Sequence, residues 1–462
     1  MLEPALQAAR DQREKSQAHL FELIRIPSVS ALPEHDQDCR RAADWIVRRL
    51  RGAGMDVELV DVPGPGHRHP VISAEWLGAG AGATTLAIYG HYDVQPPDPL
   101  EEWQSPPFEP TVRDGFVYAR GADDNKGQVM CGIRAAELAL ATGGPPVNLR
   151  FLIEGEEEVG GPSLPEFVKR EAARLRTDYL LIADGQFTAP GLPDLLTGLR
   201  GLLYTEVEAV GAAADLHSGI YGGVAPNPLN TLAHAISALK GRDGRVTVPG
   251  FYDAVVPPDE RELADWRRLP VTEGDLKQSL GVTALEGEAE FSPFERRWAR
   301  PTLDVHGILG GFQGEGPKTV IPARAKAKIS MRLVPEQDPD RIFDTFAEYI
   351  DALSTPGVRL SARKLSSARA VRTGTDHPGV EAAARAFEAA YGARPVFVRE
   401  GGSIPVTVDF QEALRTHLLV TGFGLPGDAL HSPNEKYSLD QYFRGIEMVL
   451  HLMENLRDAP GA

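Results

Sequence analysis

Short aliphatic runs recur along the first part of the chain, each ending in polar or glycine-rich residues. Val57–Val60, Thr84–Tyr89, Leu149–Ile153 and Tyr179–Ile182 are too short for helices and are bounded by turn-forming residues, so they are read as strands. Between the second and third, Gly127–Leu140 carries apolar residues at helical spacing. Residues 4–26 predict one amphipathic helix with Leu6, Leu20, Leu23 and Ile24 on its buried face. Residues 38–53 predict a second, closed by Gly52 and Gly54. Strands alternating with helices predict an α/β fold, a mostly parallel sheet flanked by helices on both faces.

The pattern changes near residue 200. Leu202–Val210 reads as a strand and Asn227–Leu239 as a helix. Ala323–Leu333 alternates strictly, with Ala325, Ala327, Ile329, Met331 and Leu333 on one face and Arg324, Lys326, Lys328, Ser330 and Arg332 on the other. That is a strand with one wet face. Ile342–Leu353 reads as a helix, so the block predicts an α+β unit with an antiparallel sheet. Residues 249–300, rich in proline and charge, are expected to elaborate this unit as short helices and loops. From about Gly374 the pattern returns to helix (Val380–Tyr391), strands (Pro395–Arg399, Leu418–Thr421) and a last helix (Gln441–Leu456). A discontinuous domain follows, its parts at 1–198 and 374–462, with 199–373 inserted.

Composition narrows the function. The chain has 462 residues, and at 42% hydrophobic and 24% charged it has the composition of a water-soluble protein of more than one domain. A net charge of −17 argues against nucleic acid and against anionic membranes as partners. Two distant cysteines, Cys39 and Cys131, provide neither a disulfide framework nor a thiolate zinc site, which fits a reducing compartment. The N-terminal residues lack the apolar core of a leader, and no apolar run reaches membrane-spanning length. A cytoplasmic location is expected.

The candidate chemistry sits where strands end. Thr84–Tyr89 runs into Gly90-His91-Tyr92-Asp93, Leu149–Ile153 into Glu154-Gly155-Glu156-Glu157-Glu158, and Tyr179–Ile182 into Ala183-Asp184. Ligand sites of open α/β sheets lie outside such ends, and imidazole mixed with carboxylates suits zinc and similar cations. Taken singly, each signal has a plain structural reading. His91 could be a loop histidine, the glutamates a solvated cluster, Asp123 or Asp124 a helix N-cap, and His431 a loop residue. Their joint placement points to a metal site.

Eight stretches then match one family in order: GHYDVQP (90–96), RGADDNKG (120–127), EGEEEVGG (154–161), DLHSGIYGG (215–223), KTVIP (318–322), SMRLVP (330–335), REGGSIPV (399–406) and HSPNEK (431–436). The chain resembles the dinuclear zinc peptidases related to cytosolic nonspecific dipeptidase, carnosine dipeptidase and glutamate carboxypeptidase. The resemblance implies a ferredoxin-like lid and dimerisation domain at 199–373. It implies two divalent ions per subunit, zinc by family expectation with manganese or cobalt also compatible, held by His91, Asp124, Glu158, Asp184 and His431, with Asp124 bridging. Asn125 stands where the family commonly has a second Asp, and a cis peptide is expected at Asp124–Asn125. Asp93 would orient His91, and Glu157 would act as general base, taking the proton of the water that becomes the hydroxide nucleophile shared by both ions. His217 would stabilise the oxyanion, crossing from a partner subunit in dimeric relatives. Arg332 would grip the substrate carboxylate, with Thr319 and Ser403 as further contacts. Gly401 and Gly402 would let backbone approach the ligand.

The expected activity is hydrolysis of dipeptides or very short peptides. An amidohydrolase acting on N-acyl or N-carbamoyl amino acids is the alternative, with the same chemistry and a different acyl pocket. A non-catalytic peptide- or metal-binding protein is a third reading, disfavoured by the intact Glu157, because a binder needs no base.

Overall fold

The computed structural model describes residues 2–66, 68–401 and 406–459. Among these residues a nine-stranded mixed sheet runs in the order Asp56–Val60, Val71–Trp76, Asn148–Glu154, Thr85–His91, Tyr179–Ala183, His417–Thr421, Asp194–Leu199 and Val371–Arg372, with Val396–Glu400 also paired to Asp194–Leu199. The four central strands, from Asn148–Glu154 to His417–Thr421, are mutually parallel, and antiparallel strands flank them on both sides.

The unbroken apolar runs follow from burial on both faces. Along the central strand, Leu86 and Ile88 enter one core while Ala87 and Tyr89 enter another. Phe151 and Leu152, and Leu181 and Leu180, divide in the same way. The first core packs against helices that include Lys126–Ala141, Pro378–Tyr391 and Leu439–Asn455, the second against Ser163–Arg170 and Val406–Leu414. The helix expected over 4–26 is two, Leu2–Asp11 and Arg13–Ile24, broken at Gln12. The break lets the first lie on Leu439–Asn455 as well as on Lys126–Ala141, which the second also covers.

A second sheet has four antiparallel strands in the order Thr302–Gly310, Arg324–Leu333, Gly201–Val210 and Arg359–Ala368. Ala325, Ala327, Ile329, Met331 and Leu333 are buried beneath the helices Pro228–Ala238 and Pro339–Ala352, as the alternation requires. The segment expected to elaborate this unit instead sends two helices, Glu260–Trp266 and Pro293–Trp298, against the large sheet. Trp266, Phe294 and Trp298 cover Val396 and Val398. A buried ion pair, Glu262 with Arg399, fastens the first of them at 2.7 Å.

Candidate metal centre

The parallel register aligns the chemistry. His91 lies level with Glu154, Tyr89 with Ile182, and Thr421 with Ala183, so the loops carrying His91, Glu158 and Asp184 leave the sheet along one edge. Helix Lys126–Ala141 presses its first turn onto that edge. A Cβ on Gly90 would lie 2.5 Å from the Val129 side chain, and one on Gly127 2.0 Å from the Ala122 carbonyl, so only glycine permits this approach. The helix thereby brings Asp124, just before its start, over the strand ends.

Five of the expected residues meet there as two groups that share Asp124: His91, Asp124 and Asp184, and Asp124, Glu158 and His431. His91 Nε2 lies 3.1 Å from Asp124 Oδ1 and 3.7 Å from Asp184 Oδ1. His431 Nε2 lies 3.0 Å from Asp124 Oδ2 and 3.4 Å from Glu158 Oε2. The two oxygens of Asp124 therefore face opposite groups. The Asp124–Asn125 peptide is cis. Asn125 Nδ2 donates to Asp184 Oδ1 and to the Ala183 carbonyl, both at 2.8 Å. Buried Asp93 stands behind His91, with Oδ1 3.3 Å from Nδ1, and its Oδ2 accepts the Glu158 amide at 3.2 Å. Gln95 Nε2 donates to Glu158 Oε2 at 2.8 Å.

The acidic triplet divides by task. Buried Glu156 accepts the backbone amides of Arg68, His69 and Ser163 and is structural. Glu157 belongs to neither ligand group and faces a cleft of about 560 Å³ that Leu202, Ser366 and Val406 also line. Burial pushes its carboxyl up to about 7; His91 draws it down, and the charges of Asp184 and Asp124 add to the rise. Burial, then Asp124, lifts Glu158 to about 8. Carboxylates so crowded repel one another until cations are bound. Each group offers nitrogen and oxygen donors within 4.8 Å of one another, so the residues fit divalent ions at both positions.

One residue with no assigned part in the sequence reading holds the Asp124 loop in place. Buried Glu435, in the HSPNEK stretch, accepts Arg120 at 2.7 Å and the amides of Gly121, Asp123 and Asp124 at 2.9, 3.0 and 3.1 Å. Glu435→Ala would leave the Arg120 guanidinium buried and unpaired. Loss of one partner of a buried pair costs about 3–5 kcal/mol, so chemical denaturation should show a loss of that size, with metal content reduced as well. A variant as stable as wild type would show that the loop does not depend on this carboxylate.

Among the substrate candidates, Arg332 lies on the second sheet, and His217 and Thr319 lie on or beside a two-stranded ribbon of Leu216–His217 and Val320–Ile321. Arg332 pairs in register with Leu202, which lines the Glu157 cleft. Exposed His217 is outside both ligand groups; its Nδ1 accepts the Gly219 amide at 2.9 Å. The Ser218 amide donates to the Thr319 carbonyl at 3.0 Å, so His217 and Thr319 sit together. Ser403 and Gly402 lie outside the described residues. Sequence reasoning passed over Arg200, whose Nε donates to the Gly401 carbonyl at 3.1 Å. Burial, then the charge of Arg332, lowers its pKa to about 10. Its one sequence signal is an arginine at the junction of the two sheets.

Residues 87–455 match Peptidase family M20/M25/M40. The chain is 33% identical over 450 residues to the Cys-Gly metallodipeptidase dug1 of Schizosaccharomyces pombe, covering 95% of this chain and 94% of that protein. It is 32% identical over 444 residues to the human Beta-Ala-His dipeptidase, covering 92% and 86%. Among solved structures, the Saccharomyces cerevisiae di-peptidase Dug1p superposes with a TM-score of 0.83 at 30% identity, covering 100% of this chain and 99% of that one. Human carnosine dipeptidase 1 superposes with a TM-score of 0.82 at 31% identity, covering 99% and 98%. With paired ligand groups at the strand ends and this likeness along nearly its whole length, the chain belongs to Peptidase family M20/M25/M40 and is a metal-dependent peptidase.

Proposed function

We propose that this enzyme hydrolyses the peptide bond of dipeptides and very short peptides, with Glu157 as the general base. The observation that carries the reading is the shared Asp124 between two ligand groups with Glu157 alongside but in neither. The names of the relatives, which act on Cys-Gly and β-Ala-His, support a dipeptide substrate. His91, Asp124 and Asp184 would hold one ion, and Asp124, Glu158 and His431 the other, zinc being the expected metal. Such a pair supplies Lewis acidity towards the scissile carbonyl and makes a water acidic near neutral pH. Glu157 would take the proton of the attacking water and return it to the leaving amine. Asp93 keeps the His91 ring oriented. The decisive test is a turnover screen of the zinc-loaded enzyme on dipeptides against N-acetyl and N-carbamoyl amino acids. Cleavage of the acylated compounds alone would overturn the dipeptidase reading.

Arg332 receives the substrate carboxylate in this proposal, with Thr319 and Ser403 as further substrate contacts. Hydrogen bonds to a charged group contribute about 1.5–3 kcal/mol. Arg332→Met should therefore raise KM for a free dipeptide roughly 10- to 100-fold and leave KM for its C-terminal amide nearly unchanged. Equal effects on both would assign Arg332 elsewhere.

The unit at 199–373 is proposed as lid and dimerisation domain of a cytoplasmic homodimer, with His217 supplied to the partner's site as oxyanion donor. Exposed apolar residues support this: Ile220 at 69% and Val224 at 83% beside His217, and Ile308 and Leu309 on the edge strand Thr302–Gly310. No described helix is long and apolar enough to cross a membrane. If His217 crosses, mixing and re-pairing inactive Glu157→Gln with inactive His217→Ala should recover about a quarter of wild-type activity, since half the dimers are mixed and carry one complete site. No recovery in a mixture verified to contain mixed dimers would place His217 within its own subunit's site.

A further inference from the structure

A groove of about 410 Å³ lies between the helices Arg13–Ile24, Asp36–Gly52 and Lys126–Ala141, apart from the cleft beside Glu157. Lys15, Arg48, Arg49 and Arg134 line it against a single lining carboxylate, Glu137. On a chain of net charge −17 this is a local inversion of sign.

Glu137 is already committed. Arg49 NH2 lies 2.5 Å from one of its oxygens, and Arg134 NH1 pairs with the other. Arg134 Nε also donates to Ser16 Oγ at 3.2 Å, and Arg49 NH1 and NH2 meet the His19 ring at 3.0 and 2.9 Å, so one donor on each arginine remains. Arg134 is 3% exposed, and its NH2 is buried without a hydrogen-bond partner, as is the Nε of Arg49. Lys15 and Arg48 stand exposed at the rim, and among the described residues neither has an ion-pair partner. The nearby carboxylate of Glu22 is occupied by the Trp45 indole at 3.2 Å. His19, 3.0 Å from Arg49, is held down at about 4, by burial first and then by Arg49 and Arg134.

Helix electrostatics do not account for this set. A last-turn arginine such as Arg49 offsets the dipole of its helix. Lys15 sits in the first turn of Arg13–Ile24, where a cation is unfavourable, and Arg134 sits mid-helix. Buried donors left unpaired are costly, and forked guanidiniums satisfy tetrahedral oxyanions from several directions at once. The volume lies within the range of small-ligand sites.

We propose that this groove binds a small phosphate-bearing anion, gripped by Arg134 and Arg49 at the floor and by Lys15 and Arg48 at the rim. Arg134 lies eight residues along the helix that begins beside Asp124, about 12 Å at 1.5 Å per residue. The site is therefore separate from the metal cluster but rigidly connected to it.

The test is titration of the metal-loaded enzyme with inorganic phosphate and with glucose 1-phosphate at constant ionic strength, read by calorimetry and by thermal stability. Saturable binding that raises the unfolding midpoint is expected, because the anion binds the folded state. Lys15→Ser with Arg48→Ser changes two exposed side chains. This double variant should weaken binding roughly tenfold or more, while dipeptide turnover without phosphate stays at the wild-type value. Arg134→Gln should weaken it as well; if that variant folds poorly, the rim variant still decides. Tighter binding of glucose 1-phosphate identifies an organic phosphate, and equal binding the free ion; both support the site. No saturation by about 10 mM, or equal binding by wild type and rim variant, overturns it, the latter because the anion would then sit on the metal cluster or Arg332.

Discussion

Glu157→Gln is expected to lower kcat on a dipeptide by about 10²–10⁴-fold, the range that a positioned general base contributes. Glutamine keeps the size and hydrogen-bonding reach of glutamate but cannot accept the water's proton. Glu157 is absent from both ligand groups, so metal content should be unchanged, and KM should move little. Glu158→Gln is the control, since Glu158 Oε2 lies 3.4 Å from His431 Nε2 within one group and its loss should show as loss of metal. Steady-state kinetics with elemental analysis of both variants would separate the roles. Unchanged turnover in a metal-replete Glu157→Gln enzyme would end the general-base assignment.

Asp124→Ala should have the larger effect on metal. Its two oxygens serve opposite groups, 3.1 Å from His91 and 3.0 Å from His431. Removing it leaves His91 with Asp184 at one position and Glu158 with His431 at the other. Loss of an outer hydrogen-bond partner alone typically costs about 10–100-fold in metal affinity. Loss of a shared direct ligand is expected to exceed that at both positions, with dipeptidase activity falling in parallel. Elemental analysis after dialysis against a weak chelator measures it directly. Retention of the full wild-type metal complement would show that Asp124 does not bridge.

The central strands were legible because burial on both faces forces continuous apolar runs, and Thr84–Tyr89, Leu149–Ile153 and Tyr179–Ile182 all appear within one or two residues of their expected bounds. Thr302–Gly310 and Arg359–Ala368 were not legible. Both are edge strands whose solvent exposure removes the alternation that marked Arg324–Leu333. The break at Gln12 was hidden because the two short helices share one helical pattern and diverge only in what they pack upon.

At the site, local sequence marked His91, the acidic triplet and Asp184, because imidazole and carboxylates at the ends of apolar strands together suggest a cation site, while Asp124 and His431 were assigned as ligands only through the family resemblance. It did not carry the function of Glu435, a glutamate that looks like any other until four donors from residues 120–124 converge on it. It also did not separate Glu156, which binds backbone amides, from Glu157 and Glu158, which face the site. That division depends on which way a short turn points.

Sequence by itself determined the α/β class, the strand ends and the chemical types of the donors, because periodicity and residue chemistry are properties of neighbouring positions. The place of Asp124 between His91 and His431 was expected only through the family resemblance, and the tertiary structure alone decided that Glu435 anchors its loop and that four cations from three helices line one groove. Those facts depend on distances between residues far apart in the chain, and such distances are set by packing.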